Sequence, residues 1–142
     1  MLETVGDIWE YAGSAVIVIT VSGSLTRNGR IVPGNGVARQ AFQRDPSAAE
    51  KLGTLVATDG SHVHDAGNGI VSFPVEESAW SQPDLAIIAR SARELRVLAD
   101  NSGWQRIVVP RPGCGGGGLA WKDVKPVLEP WFDDRFTVIS LF

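Results

Sequence analysis

Apolar residues along this chain come in short unbroken runs, separated by segments where they recur every three or four positions. The runs at 15–21 (AVIVITV), 54–58 (TLVAT), 70–73 (IVSF), 106–109 (RIVV) and 136–141 (FTVISL) predict strands. Most are continuous rather than alternating, as in strands covered on both faces. A weaker run at 4–9 predicts an outer strand. Leu85, Ile88, Ala92, Leu95 and Ala99 fall on one stripe and predict a helix over 83–100. Ser81, with Asp84 three residues on, supplies a cap-like start, and Gly103 a stop. Trp121, Val124, Leu128 and Trp131 form a second stripe, with Pro126 close enough to its start to be tolerated. Residues 37–43 begin a third helix, broken at Asp45-Pro46 and resumed over 47–52. Residues 62–68 read as a turn among Gly60, Gly67 and Gly69. Buried strands alternating with helices predict an α/β fold of three α/β/α layers around a central mixed sheet. Ligands of such sheets bind outside the carboxyl ends of the strands.

Composition narrows the classes. With 142 residues the chain has one domain's worth of core, and 44% hydrophobic with 20% charged residues is ordinary for a globular protein. A formal net charge of −3 argues against a nucleic-acid surface. The apolar run 15–19 is too short to cross a bilayer, and the amino end lacks the basic and apolar regions of a secretory signal, so no membrane partner is expected. The single cysteine, Cys114, cannot form an internal disulfide, which fits a reducing cytoplasm.

The sixteen glycines change the picture more, because they cluster. Pro33-Gly34-Asn35-Gly36-Val37 follows a strand and a short connection and opens a helix. Free N–H groups at a helix start suit an anion such as a phosphate. A tight glycine turn without a ligand explains this segment equally well. The second cluster, Pro110-Arg111-Pro112-Gly113-Cys114-Gly115-Gly116-Gly117-Gly118-Leu119-Ala120-Trp121, runs from strand to helix. Successive glycines cost roughly 0.5–1 kcal/mol each relative to alanine in regular structure, so packing alone does not justify four of them. They can wrap backbone amides around a pyrophosphate. The loop lacks the Gly-Lys-Ser/Thr of a Walker loop and the following strand and acidic residue of a dinucleotide fingerprint.

The second cluster resembles the second phosphate loop of macrodomains, in particular the branch with Gly-Cys-Gly followed by Leu-x-Trp. Gly34 to Gln40 (GNGVARQ) is similar to the first loop, and Gly6-Asp7-Ile8 to the amino-terminal Gly-Asp-[Ile/Leu] signature. Strand 16–21, Phe73-Pro74 and the helix 83–100 also fall in family order, so the resemblance covers nearly the whole chain and implies one α/β/α macrodomain spanning 1–142. The resemblance implies ADP-ribose or an ADP-ribosylated protein as partner, and no cofactor or metal. Asp7 would accept a hydrogen bond from the adenine amino group, with Ile8 supplying backbone contact; the alternative for Asp7 is a solvated turn residue. Gly34, Asn35, Gly36 and Val37 would hold the distal ribose and the nearby phosphate. Gly113, Cys114, Gly115, Gly116, Gly117, Gly118 and Leu119 would hold the pyrophosphate.

Departures from the family bear on chemistry. Where many macrodomains end the central strand in an asparagine pair, this chain reads Ile19-Thr20-Val21-Ser22-Gly23, and Ser22 is the replacement able to bond a ribose hydroxyl. One hydrolase branch uses a lysine after the middle strands and an aspartate in the second loop. Here those places read Phe73-Pro74-Val75-Glu76-Glu77 and Gly117, which argues against a covalent lysine route. A water-based cleavage remains, assisted by the ligand's own phosphate, with Asn35 and Gly36 positioning the ribose. The functions that compete are a hydrolase acting on Glu or Asp esters, a non-catalytic reader, and a phosphatase acting on a terminal phosphate of the ligand. His62 and His64 have no clustered partners for a metal. Cys114 has no assignable base and reads as packing. Phe73 and Trp80 read either as core or as cleft lining.

Overall fold

In a computed structural model, which describes residues 1–33, 36–116 and 118–141, six strands form one sheet. They are β1 (Leu2–Val5), β2 (Val16–Val21), β3 (His64–Gly67), β4 (Ile70–Pro74), β5 (Ile107–Pro110) and β6 (Phe136–Ser140). The order across the sheet is β1-β6-β5-β2-β4-β3, parallel throughout except for the antiparallel edge strand β3. The helices are α1 (Val37–Arg44), α2 (Pro46–Asp59), α3 (Leu85–Ser102) and α4 (Trp121–Leu128), with a short 3₁₀ turn at Ile8–Tyr11.

Alternation along the central strand divides the core. Val18 points into a cluster with Val71, Phe73, Ile88, Leu95, Leu128 and Phe136, which packs α3 and α4 on one face. Ile17, Ile19 and Val21 point the other way, towards α1, α2 and the 3₁₀ turn. The three-layer α/β/α arrangement with a mixed sheet is thus the fold of the described residues. None of their helices is long and apolar enough to cross a membrane.

Some predicted elements differ. Residues 54–58 are helical, the last turns of α2, which continues past 52. Their β-branched residues are accommodated because Thr54 Oγ1 donates to Glu50 O (3.1 Å) and Thr58 Oγ1 to Thr54 O (2.8 Å). Gly53 in the same helix lets the chain at Gly29 cross: a Cβ there would collide with the Gly29 carbonyl. The stretch 62–68 contains β3, whose hydrogen bonding to β4 its polar composition did not reveal. The outer strand ends at Val5, and Ile8 to Tyr11 coil instead. Asp84, not Ser81, caps α3, its Oδ1 accepting from Ala86 N at 2.7 Å, while Gly103 terminates the helix in the left-handed region (φ 69°).

Candidate functional site

The strand order creates one topological switch point. From β2 the chain leaves towards β4 and β3; from β5 it leaves towards β6, and the helices it enters, α1 and α4, lie on opposite faces. Crevices at such points bind ligands. Here the crevice is widened. β2 pairs with β5 only at Val16↔Ile107 and Ile17↔Val108, yet stays paired with β4 through Val21↔Pro74. Towards their carboxyl ends β2 and β5 therefore part, and the segments that follow the two strands, at Ser22 and at Arg111, leave from that gap.

The helices opening from the two glycine loops share a feature. Neither α1, preceded by Gly36, nor α4, preceded by Ala120, has a side-chain cap, which is also true of α2, whereas α3 and the 3₁₀ turn are both capped by aspartates. With no side chain capping them, the first turns of α1 and α4 suit an anion, although in α4 Asp123 N already donates to Ala120 O at 2.9 Å. Gly36 has φ 65° and ψ −130°, a backbone that suits glycine. Gly34, Asn35 and Gly117 lie outside the described residues.

The second loop is anchored at one end and open in its middle. Gly113 (φ 71°) is wedged so tightly that a Cβ would sit 2.9 Å from Leu119 Cδ1, 3.1 Å from Pro83 Cβ and 3.2 Å from Ile88 Cδ1. Leu119 N donates to Gly113 O at 3.1 Å and closes the loop on itself. By contrast nothing lies within 4 Å of a Cβ built on Gly115, Gly116 or Gly118. The sequence grouped these glycines together; the structure separates Gly113, which packing requires, from three whose backbone faces open space. Cys114 is half-buried, its Sγ donating to Pro112 O at 3.5 Å, and burial pushes its thiol above the usual value despite nearby Arg111. A raised thiol pKa is the reverse of nucleophile activation.

At the β1 end of the same edge, Asp7 is exposed rather than enclosed, and its Oδ1 accepts from Trp9 N at 3.0 Å. The carboxylate thus orders the turn that buries Ile8 under the sheet, in a cluster with Ile17, Val108 and Ile139. Trp9 was not singled out in the sequence, yet it ties this turn to α1: its Nε1 donates to Gln40 Oε1 at 2.7 Å, and the Arg44 guanidinium lies 4.6 Å from its ring centroid. The Asp7 turn and α1 are therefore joined through Trp9. A lone tryptophan at the end of an outer strand carries no periodic signal that would have disclosed this.

Ser22 directly follows β2 and is buried, its Oγ accepting from Ser24 N at 3.3 Å. Its hydroxyl proton is then directed away from Ser24. Gly23 N donates to Glu77 O at 3.1 Å, and a Cβ on Gly23 would lie only 2.5 Å from that oxygen, so glycine permits the loop after β4 to cross the end of β2. Ser24 Oγ accepts from Ala79 N at 2.9 Å, a second tie to the same loop. Glu76 is half-buried, and burial pushes its carboxyl above the usual range. Glu77 is exposed.

The remaining candidates fall elsewhere. Phe73 is fully buried core, while Trp80 is 93% exposed. His62 Nδ1 meets Glu94 Oε2 at 2.8 Å and His64 Nε2 meets Gly60 O at 2.9 Å, so both rings brace the start of β3 against its surroundings. Among the described residues no group of three or more His, Cys, Asp or Glu is placed to hold a metal ion. A cavity of about 210 Å³ lies at the opposite ends of β2 and β4, lined by Trp9, Ile17, Arg44, Asp45 and Asn68 among others.

No protein-family model and no curated protein matches the sequence. Solved structures do match the fold. The macrodomain of Thermus aquaticus DarG superposes with a TM-score of 0.79 at 20% identity, covering 97% of this chain and 95% of that one. The macrodomain of Mycobacterium tuberculosis DarG gives 0.78 at 26% identity, with the same coverage of 97% and 95%. Thermosipho africanus DarTG, solved in complex with ADP-ribose, gives 0.77 at 15% identity, covering 97% of this chain and 41% of that longer one.

Proposed function

From the premise that this chain is a macrodomain in fold, we propose that the gap between β2 and β5 binds ADP-ribose and that the protein removes ADP-ribose from modified proteins by hydrolysis. The observation that supports this reading most is the parting of β2 and β5 at their carboxyl ends, with an uncapped helix opening from the loop on either side. Backbone N–H groups of the two glycine loops would then serve the pyrophosphate, with the ribose beyond it. In this reading Asp7 and Ile8 receive the adenine. Gly113 through Leu119 hold the pyrophosphate, and Ser22 with Gly34 through Val37 holds the distal ribose. The fold relationship to a structure solved with ADP-ribose is consistent with the assignment.

The hydrolytic step needs no protein nucleophile. A water adds at the anomeric carbon of the distal ribose, and the C–O bond to the target's carboxylate breaks. The proton shed by the water goes to the ligand's phosphate or to the departing carboxylate. Free ADP-ribose and an unmodified Glu or Asp result. Asn35 and Gly36 position the sugar, and the loop amides stabilise charge around it. Cys114, with its raised thiol, is no candidate for attack. No membrane partner is invoked, no cofactor is required, and a cytoplasmic setting suits the one half-buried thiol.

The same scarcity of reactive side chains supports a second reading, a protein that binds ADP-ribose without cutting. Incubation with a protein carrying ADP-ribose on glutamate, following release of the label, separates the two. Release that depends on the intact second loop supports the hydrolase; tight binding with no release supports the reader.

A further inference from the structure

Trp80 is the largest side chain exposed outright, with 93% of its surface in solvent. Its backbone is nonetheless held firmly. Trp80 N donates to Ser78 Oγ (3.3 Å), Ser81 N donates to Ser78 O (3.1 Å), and the Ser78 and Ser81 hydroxyls bond each other at 2.8 Å. The loop is fastened to the rim of the gap by Ala79 N to Ser24 Oγ (2.9 Å) and Gly23 N to Glu77 O (3.1 Å). A ring with no partner among the described residues, one residue from a bond to the segment that follows Ser22, sits beside the end of the gap assigned to the distal ribose. Large apolar groups displayed this way contribute most when a partner covers them.

We infer that Trp80 docks the polypeptide that carries the ADP-ribose, making contact beyond the distal ribose and not with the nucleotide itself. This rests on the ADP-ribose reading of the gap. Charge favours a protein segment, neutral or basic, over a nucleic acid. Glu76, Glu77 and Asp84 surround Trp80 in the chain, Glu77 and Asp84 are exposed, and no Lys or Arg occurs between Lys51 and Arg90. A phosphate backbone laid across this loop would meet the exposed Glu77 and Asp84 carboxylates.

Trp80→Ala and Trp80→Phe separate the possibilities, because an exposed side chain can be cut back without disturbing the fold. Two ligands are compared on the full chain: free ADP-ribose by calorimetry, and a glutamate-ADP-ribosylated protein by retention or, where it turns over, by initial rate at sub-saturating conjugate. Trp80→Ala leaves ADP-ribose affinity within about twofold and weakens the conjugate about tenfold, with Trp80→Phe retaining most of it. Equal losses for both ligands would place Trp80 on ADP-ribose itself and overturn the inference. No loss for either would make Trp80 a solvated residue. A tenfold loss seen with an ADP-ribosylated oligonucleotide, but not with the protein conjugate, would replace the polypeptide with a nucleic acid and also overturn it. Failure of the unaltered protein to bind ADP-ribose at all is a different result, which overturns the reading of the gap along with the inference built on it.

Discussion

Gly113→Ala and Gly116→Val, side by side, test the division of labour within the second loop. At Gly113 an alanine must keep φ near 71° and fit a methyl among Leu119, Pro83 and Ile88 at 2.9–3.2 Å. A left-handed backbone costs an L-residue about 1–2 kcal/mol, and overpacking adds about 1–3 kcal/mol. The Leu119 contact is with the flexible end of a side chain, so the lower part of the packing range applies. The total is about 2–4 kcal/mol, a drop in melting temperature of roughly 6–16 °C for a domain of this size. At Gly116 nothing lies within 4 Å of the new Cβ, and no positive φ constrains it, so stability changes by less than about 0.5 kcal/mol. Binding should respond in the opposite sense. A valine at Gly116 occupies the space through which the backbone approaches a phosphate, and losing one charge-assisted hydrogen bond, worth about 1.5–3 kcal/mol, weakens ADP-ribose about 10- to 100-fold. Scanning calorimetry gives the first quantity and titration calorimetry the second. A Gly116→Val protein with unchanged affinity and a cooperative melt would show that the middle glycines are only a flexible turn. A Gly113→Ala protein melting within about 2 °C of the parent would refute the steric argument.

Other expectations follow from single groups. Glu76→Gln leaves ADP-ribose affinity and any hydrolytic rate unchanged; a loss of several orders of magnitude in rate with affinity retained would identify Glu76 as a general base and sink the substrate-assisted mechanism. Cys114→Ser preserves binding, and alkylation of the native thiol near neutral pH is slower than that of a free thiol, since burial holds it protonated above its ordinary value of 9.0. Glu3 accepts from Trp121 Nε1 (2.9 Å) and pairs with Lys125 Nζ (2.8 Å), joining β1 to α4. Hydrogen bonding from Lys125 lowers the Glu3 carboxyl below its ordinary 4.5, so its contribution is complete above that pH and lost as pH falls through the lower folded value. Glu3→Gln therefore flattens part of the acid limb of a stability–pH curve while costing under about 1 kcal/mol at neutrality, as both side chains are over a third exposed.

What could be read from the sequence follows from how local each signal is. The buried strands β2, β4, β5 and β6 announce themselves as apolar runs, and the stripe from Leu85 to Ala99 can only be one face of a helix. Glycine clusters mark backbone that must bend or approach something. The misreadings arise where tertiary contacts decide. Residues 54–58 carry β-branched side chains in a helix that threonine hydroxyls and the Gly29–Gly53 crossing support. β3 is an edge strand of four mostly polar or small residues, HDAG, and exists through its pairing with β4. The parting of β2 and β5 is equally invisible in sequence, because it follows from strand order rather than from any residue type. The role of Asp7 in capping the 3₁₀ turn depends on the helical coil of Ile8 to Tyr11, which the run at 4–9 did not announce. The tie from Trp9 to Gln40 spans 31 positions and leaves no pattern.

The central claim is that the gap between β2 and β5 recognises a dinucleotide-like ligand from adenine to distal ribose. Titration calorimetry of the unaltered protein with ADP-ribose and with AMP tests it most directly. AMP reaches the adenine end and one phosphate, whereas ADP-ribose adds the second phosphate and the ribose facing Ser22 and the first loop. Two or more added hydrogen bonds to charged or ribose groups predict an affinity at least about tenfold higher for ADP-ribose. Equal affinities for the two ligands, or no heat with either, would contradict the account.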